Sequence, residues 1–317
     1  MTAYPGADMV QKYPATILLT LALAAAMFHF RSEPQARSEL QAAAALCGGS
    51  LYALSYSSGT PHIDLEVGGA PARAMLDYGA TKSSLRAKTA GELGTIVKAA
   101  TSLPLKGESE FLTRRADAET DAIIGTDLLA QLTVALDAKT AALSTAPCAA
   151  SRLKAAGFAP IAQHGFFSYD RGRVAKDRPN VPVVFVQLGA TKTWAQIDTG
   201  YDDDLFPSSL DINRAFYDAL VASGLRLTQE GTVTVKTCVG FETRPVYSST
   251  QPLVIADETG GPVAETGRYY LIVKPTNLCG GIATRTTPAA QLGGSFLSLF
   301  QSIVFDPHSE TVWIKKD

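Results

Sequence analysis

Two stretches of this chain, about 120 residues apart, superpose without a gap, and each ends on an aspartate followed by x-Gly. The first runs His62-Ile-Asp-Leu-Glu-Val-Gly68-Gly-Ala-Pro-Ala-Arg-Ala-Met-Leu76-Asp77-Tyr78-Gly79. The second runs Val183-Val-Phe-Val-Gln-Leu-Gly189-Ala-Thr-Lys-Thr-Trp-Ala-Gln-Ile197-Asp198-Thr199-Gly200. Ile63, Leu65 and Val67 fall on Val184, Val186 and Leu188, and Gly68 falls on Gly189. Each copy alternates apolar and polar residues, turns at a glycine and alternates again, which predicts a hairpin whose second strand delivers the aspartate. A later pair repeats too. Ile123-Ile-Gly125-Thr-Asp-Leu-Leu with Val134-Ala-Leu-Asp137 matches Gln291-Leu-Gly293-Gly-Ser-Phe-Leu with Ile303-Val-Phe-Asp306. A period this long means a duplicated lobe, since solenoid repeats are several-fold shorter.

The chemistry follows from the duplication. An isolated Asp-x-Gly is ordinarily a plain turn, because glycine tolerates the backbone approach that a tight loop needs. Two in register, each behind an apolar strand, can meet across a pseudo-twofold axis. Carboxyl groups brought that close do not both ionise, so the pair holds one proton and offers a base and an acid together. The ionised member can draw a proton from water while the protonated one hydrogen-bonds a carbonyl oxygen, which hydrolyses an amide without a covalent intermediate.

Composition sets the bounds. The 317 residues suit two lobes of ordinary size, and 46% hydrophobic against 18% charged residues is enough apolar material for a sizeable core. Twenty-six Gly and 17 Pro predict a turn-rich, mainly β chain with a few short helices. A net charge of -2 with no block of one sign nominates no nucleic-acid partner. The four histidines are scattered and no Cys-x-x-Cys occurs, so neither a metal site nor a cofactor is expected. Gly-x-Ser-x-Gly, His-Glu-x-x-His, Walker and Gly-x-Gly-x-x-Gly patterns are absent from the sequence.

An apolar run from Ala15 to Phe30, closed by Arg31, has a length between a signal h-region and a spanning helix. No small-x-small site follows it directly, which favours an uncleaved anchor over a cleaved signal or a buried helix of the fold, although Lys12 before it and Arg31 and Arg37 after it give the weaker orientation for export. Residues 32–46 read as a stalk. Cys47 opens and Cys148 closes the first half, while Cys238 and Cys279 both lie in the second. That placement suggests one disulfide per lobe in an oxidising compartment, against four reduced, buried thiols.

The two Asp-x-Gly loops with their apolar-apolar-Gly segments resemble the aspartic peptidases, over roughly residues 50–315. Ile197-Asp198-Thr199-Gly200 and the Gln291 to Asp306 ending are similar to the pepsin-type second lobe. Asp77-Tyr78-Gly79-Ala80-Thr81 with Ile123-Ile-Gly125 looks more like the retropepsin-like members. The resemblance implies an all-β, bilobal acid-protease fold with a cleft between pseudo-twofold-related lobes: an anchor and stalk at 1–49, a first lobe at 50–150, a linker at 151–178 and a second lobe at 179–317. It implies an endopeptidase, monomeric and cofactor-free, acting on peptide substrates through Asp77 and Asp198, while the apolar run and the cysteines place it outside the cytoplasm, secreted or anchored by residues 14–30. Tyr78, Gly79, Thr81, Thr199, Gly200 and Asp202 would support the active loops. A flap would lie within Thr95 to Leu112, and a helix is expected over Asp211 to Ser223 with Asp211 at its N-cap and Gly224 after its end. Phe241, Tyr247, Tyr269 and Tyr270 are read as core. The departure is Tyr78: family members place Thr or Ser there so that two hydroxyls interlock, and a Tyr in that slot means either a reshaped loop with Tyr78 pointing elsewhere or a mis-set pair in a weakened or inactive relative, a peptide-binding or envelope protein.

Overall fold

The computed structural model describes residues 46–115, 119–170, 173–201, 205–206, 208–237, 240–257, 259–267, 269–275 and 281–316. The apolar run at 15–30, the stalk before residue 46, Asp202, Cys238 and Cys279 lie outside them. Among the described residues no helix is long and apolar enough to cross a membrane.

The chain is mostly β, as its composition predicts. Its strands are β1 (Ser50–Ser57), β2 (Thr60–Val67), β3 (Ala70–Leu76), β4 (Ser84–Arg86), β5 (Ile96–Ala100), β6 (Glu108–Arg114), β7 (Ala122–Ile124), β8 (Thr133–Leu136), β9 (Thr140–Ser144), β10 (Ala159–Ala162) and β11 (Phe166–Asp170). There follow β12 (Arg173–Leu188), β13 (Thr191–Ile197), β14 (Ser209–Asn213), β15 (Thr228–Thr237), β16 (Gly240–Ser248), β17 (Leu253–Ala256), β18 (Pro262–Thr266), β19 (Tyr270–Lys274), β20 (Ala290–Leu292), β21 (Ser302–Asp306) and β22 (Thr311–Lys315). They form two mixed sheets. One has the order β10-β22-β21-β8-β9-β1-β2-β3-β7-β4-β6-β5, the other β15-β16-β19-β14-β20-β13-β12-β17-β18 with β11 paired to β12.

The sequence duplication is a duplication of topology. The segment β2-β3-β7-β4-β6 of the first sheet recurs as β12-β13-β20-β14-β19 in the second. In both, the strand carrying the aspartate runs parallel to the apolar-apolar-Gly strand, pairing Leu76 with Ile124 and Ile197 with Leu292. In both, the strand after the aspartate then pairs antiparallel on the far side, β4 with β7 and β14 with β20. The β2–β3 turn is the two-residue Gly68-Gly69, both with positive φ, the geometry whose twist matches two antiparallel strands. Gly189 takes the same conformation in the β12–β13 turn.

The first sheet is not built from the first half alone. β21 returns to pair with β8, β22 pairs with β21, and β10, from the stretch expected as a linker, pairs with β22. A short helix, Ala150–Ala155, precedes β10, so residues 151–170 are largely ordered into secondary structure. The helix of the second half spans Arg214–Ala222, with Asn213 accepting the Phe216 N–H at 3.0 Å and Gly224 (φ +81°) after its end. Asp211 is therefore not its cap. It belongs to β14, hydrogen-bonded between β19 and β20, and that pairing holds the chain extended for two more residues. Of the four aromatics read as core, Tyr269 is fully buried and Tyr247 and Tyr270 are half-buried, but Phe241 is 81% exposed.

Cys47 and Cys148 form a disulfide, 101 residues apart with Cα atoms 4.5 Å apart, beside Leu153, Phe158 and Trp313. A link over so long a loop removes much of the unfolded chain's freedom. Cys47→Ser with Cys148→Ser should lower unfolding free energy by about 2–4 kcal/mol, and denaturant titration with and without reductant checks it: the parent should match the double variant only once reduced.

Candidate active site

Each aspartate sits at the end of an apolar strand whose first partner fixes the loop. The Asp77 N–H donates to the Ile124 carbonyl at 2.9 Å and the Asp198 N–H to the Leu292 carbonyl at 2.8 Å. Three residues on, the loops are clamped again: Thr126 N–H donates to the Ala80 carbonyl at 2.8 Å, and Gly294 N–H to the Tyr201 carbonyl at 2.7 Å. This is why β7 and β20 are each followed by a glycine. A Cβ on Gly125 would stand 2.7 Å from the Ala80 oxygen, and one on Gly293 2.6 Å from the Tyr201 oxygen, closer than real side chains come.

The two loops interlock. A Cβ on Gly79 would fall on the Asp198 carboxyl, and a Cβ on Gly200 would fall on the Asp77 carboxyl, so each glycine makes room for the other loop's acid. The carboxyl groups are hydrogen-bonded to each other, and both residues are partly exposed. Oδ1 of Asp77 accepts the Gly79 N–H at 2.7 Å and the Ala80 N–H at 3.1 Å, and the Gly200 N–H also reaches its carboxylate. Oδ2 of Asp198 accepts from Nε2 of Gln291 at 2.7 Å. Among the described residues no Lys, Arg or His forms an ion pair with either acid.

Desolvation raises the Asp77 pKa, opposed by the donated N–H bonds, which favour the anion. Asp198 is raised further, by desolvation first and then by the Asp77 charge, with Lys274 opposing. Both shifts favour a pair that holds one proton between them, and the N–H bonds donated to Asp77 make it the better seat for the charge.

Thr199 supplies the crossing contact between loops. Its Oγ1 donates to the Leu76 carbonyl at 2.6 Å and accepts the Tyr78 N–H at 3.0 Å, and its side chain is fully buried. Tyr78 does not return the contact. Its ring lies in the core 4.5 Å from that of Phe305, and its buried hydroxyl has no hydrogen-bond partner among the described residues. Burial, and then the Asp306 charge, hold that phenol well above its usual pKa, so it stays neutral. Thr81 follows Ala80 on the first loop and is half-buried.

The hairpin expected as a flap exists as β5 and β6, but its connecting loop is fastened down. Ser102 N–H donates to the Glu66 carbonyl at 3.0 Å, Ser102 Oγ accepts the Glu66 N–H at 2.9 Å, Tyr52 donates to the Ser102 carbonyl at 2.6 Å, and Leu103 is buried.

Beneath Asp198 lies a set of groups to which the sequence reading gave no part in the site. Lys274 Nζ donates to Oε1 of Gln291 at 2.9 Å and stands 2.8 Å from Oδ2 of Asp211, which is completely buried. Arg244 lies 3.5 Å from the same Asp211 oxygen and 2.7 Å from Glu242. The signal available was Gln291 itself, a polar residue in the slot that Ile123 fills in the first half. Among the described residues no cluster of His, Cys, Asp and Glu could hold a metal. No family model and no curated protein matches the chain.

Proposed function

We propose that the chain is an aspartic endopeptidase of the bilobal, pepsin-like and retropepsin-like kind, with Asp77 and Asp198 as its acid pair. One observation supports this above the rest: the glycine of each loop lies under the carboxyl of the other, so the two acids share one hydrogen-bonded site. Ordinary turn aspartates have no reason to interlock reciprocally. The duplicated strand order fits two lobes related by a pseudo-twofold axis.

In this reading a water held by both carboxyls is the nucleophile. The ionised acid, Asp77, takes a proton from it as the oxygen attacks the scissile carbonyl carbon, while Asp198 gives its proton to the carbonyl oxygen. The product of that step is a neutral tetrahedral diol with the single proton now on Asp77. Passing that proton to the amide nitrogen, and returning one hydroxyl proton of the diol to Asp198, breaks the C–N bond and restores the pair. No metal or cofactor takes part. The Cys47–Cys148 disulfide points to an oxidising, extracytoplasmic compartment.

The test is turnover of an unfolded protein substrate across acid and neutral pH. Cleavage best at acidic to mildly acidic pH and blocked by a statine-type transition-state mimic is expected, since the pair must keep its shared proton. A second reading, a silent relative that holds peptides, is favoured by the unreturned Thr199 contact and the fastened β5–β6 loop. Tight peptide binding with no cleavage at any pH would select it.

A further inference from the structure

The two halves differ at one position that touches the acid pair. In the first half, Ile123 precedes Ile124 and Gly125; in the second, Gln291 occupies that place and its amide reaches Asp198. The orientation of this amide follows from the donor inventory. An ammonium has only protons to give, so the Gln291 atom facing Lys274 at 2.9 Å is the oxygen, and the atom facing Asp198 at 2.7 Å is the NH2. Lys274 is itself held by Asp211 at 2.8 Å, and Arg244 and Glu242 complete the set on the far side. These side chains are all largely buried, Lys274 at 14% exposure and Asp211 at 0%.

We propose that Gln291 and Lys274 are positioning residues of the acid pair: Lys274 fixes the Gln291 amide with its NH2 toward Asp198, which engages Oδ2 of Asp198 as an acceptor and favours Oδ1 as the seat of the shared proton. The inference rests on the endopeptidase reading for its use in catalysis but not for its geometry. An oxygen that already receives an N–H bond is a poor place for a proton, so the amide disfavours one of the two ways in which Asp198 can be protonated. Backbone N–H groups do the equivalent work at Asp77, where Oδ1 accepts two of them. The charged groups facing Asp198 are Asp77 from the β3 loop, Lys274 from β19 and Asp211 from β14. The ammonium favours the anion and the two carboxylates oppose it. Arg244 and Glu242 on β16 act on Asp211.

The pair's titration can be followed without any substrate. Replacing Asp198 by Asn removes it, so the difference in melting temperature between Asp198→Asn and its parent, plotted against pH, changes across the pair's ionisation. Measured in the wild type and in Gln291→Leu, the midpoint of that curve is expected to move up by about one pH unit, the scale of one hydrogen bond to a charged group. Gln291→Met, of similar length and without a donor, should move it equally if the Leu variant folds poorly. Lys274→Met should move it in the same direction. Midpoints that coincide, with or without a uniform loss of stability at every pH, would overturn the proposal and leave Gln291 a packing residue. A shifted midpoint in a protein that cleaves no peptide would uphold it and remove the endopeptidase reading instead.

Discussion

Asp77→Asn and Asp198→Asn are each expected to lower peptide hydrolysis by at least about 10²–10⁴-fold, the range attributed to a positioned acid or base. The side-chain amide is nearly isosteric with the acid, so the interlocked loops should survive and the loss should fall on kcat. An amide neither accepts the water proton nor shares one with the remaining carboxyl. If either variant keeps activity within tenfold of the wild type, the pair is not the catalyst. The same variants carry a signature in stability, of a sign opposite to most substitutions of buried groups. Both carboxyls titrate higher in the folded chain than at their ordinary value of 3.8, so between those values the folded state binds more protons than the unfolded state. The stability this gives is complete below the unfolded value and is lost as pH rises through the folded one. Asp198→Asn removes the group that suffers most, so its melting temperature should exceed that of the wild type at neutral pH, with the advantage shrinking as pH falls toward 4. Calorimetry at several pH values checks this; an advantage that is constant with pH would argue against a shared proton.

The parts of the molecule that were readable in the sequence are those where one residue type answers one local demand. Period-two alternation gave the paired strands and Gly68 and Gly189 gave the turns, while the repeated Gly125 and Gly293 find their reason only in the structure, where each strand end runs beneath a neighbouring loop. That the two Asp-x-Gly loops could meet followed from the duplication, because two copies of one motif suggest a twofold meeting, but that Gly79 makes room for Asp198 and Gly200 for Asp77 appears only in the structure. Asp211 shows where such reading stops. A polar residue next to a helix pattern resembles an N-cap, and only the long-range pairing of β14 with β19 and β20 places it in the interior against Lys274. Lys274, Arg244 and Glu242 were equally invisible, since a charge in a strand normally marks the solvent face, and Asp211, the buried acid that Lys274 and Arg244 share, comes from a different part of the sequence. The fastening of the β5–β6 loop depends on Tyr52 and Glu66, which come from other strands and carry no local mark.

Tyr78 is where the two levels meet. From sequence alone the obvious repair of the first loop is Tyr78→Thr, which restores Asp-Thr-Gly in both halves. The structure predicts the opposite result. The ring is 1% exposed and packs 4.5 Å from Phe305, on a strand of the first sheet that arrives from the far end of the chain. Deleting it leaves a cavity where two segments distant in sequence are joined, and substitutions of that size in cores cost about 3–5 kcal/mol. A Thr hydroxyl returning the Thr199 contact would offset only about 1 kcal/mol of this. Tyr78→Thr should therefore unfold at markedly lower denaturant, with activity falling in step with the folded fraction. Tyr78→Phe separates ring from hydroxyl: it keeps the contact with Phe305 and discards a buried hydroxyl that has no partner, so its stability should equal or exceed the wild type by up to about 1–2 kcal/mol. A Phe variant as damaged as the Thr variant would show that the phenol oxygen, and not the ring, is what the first loop requires.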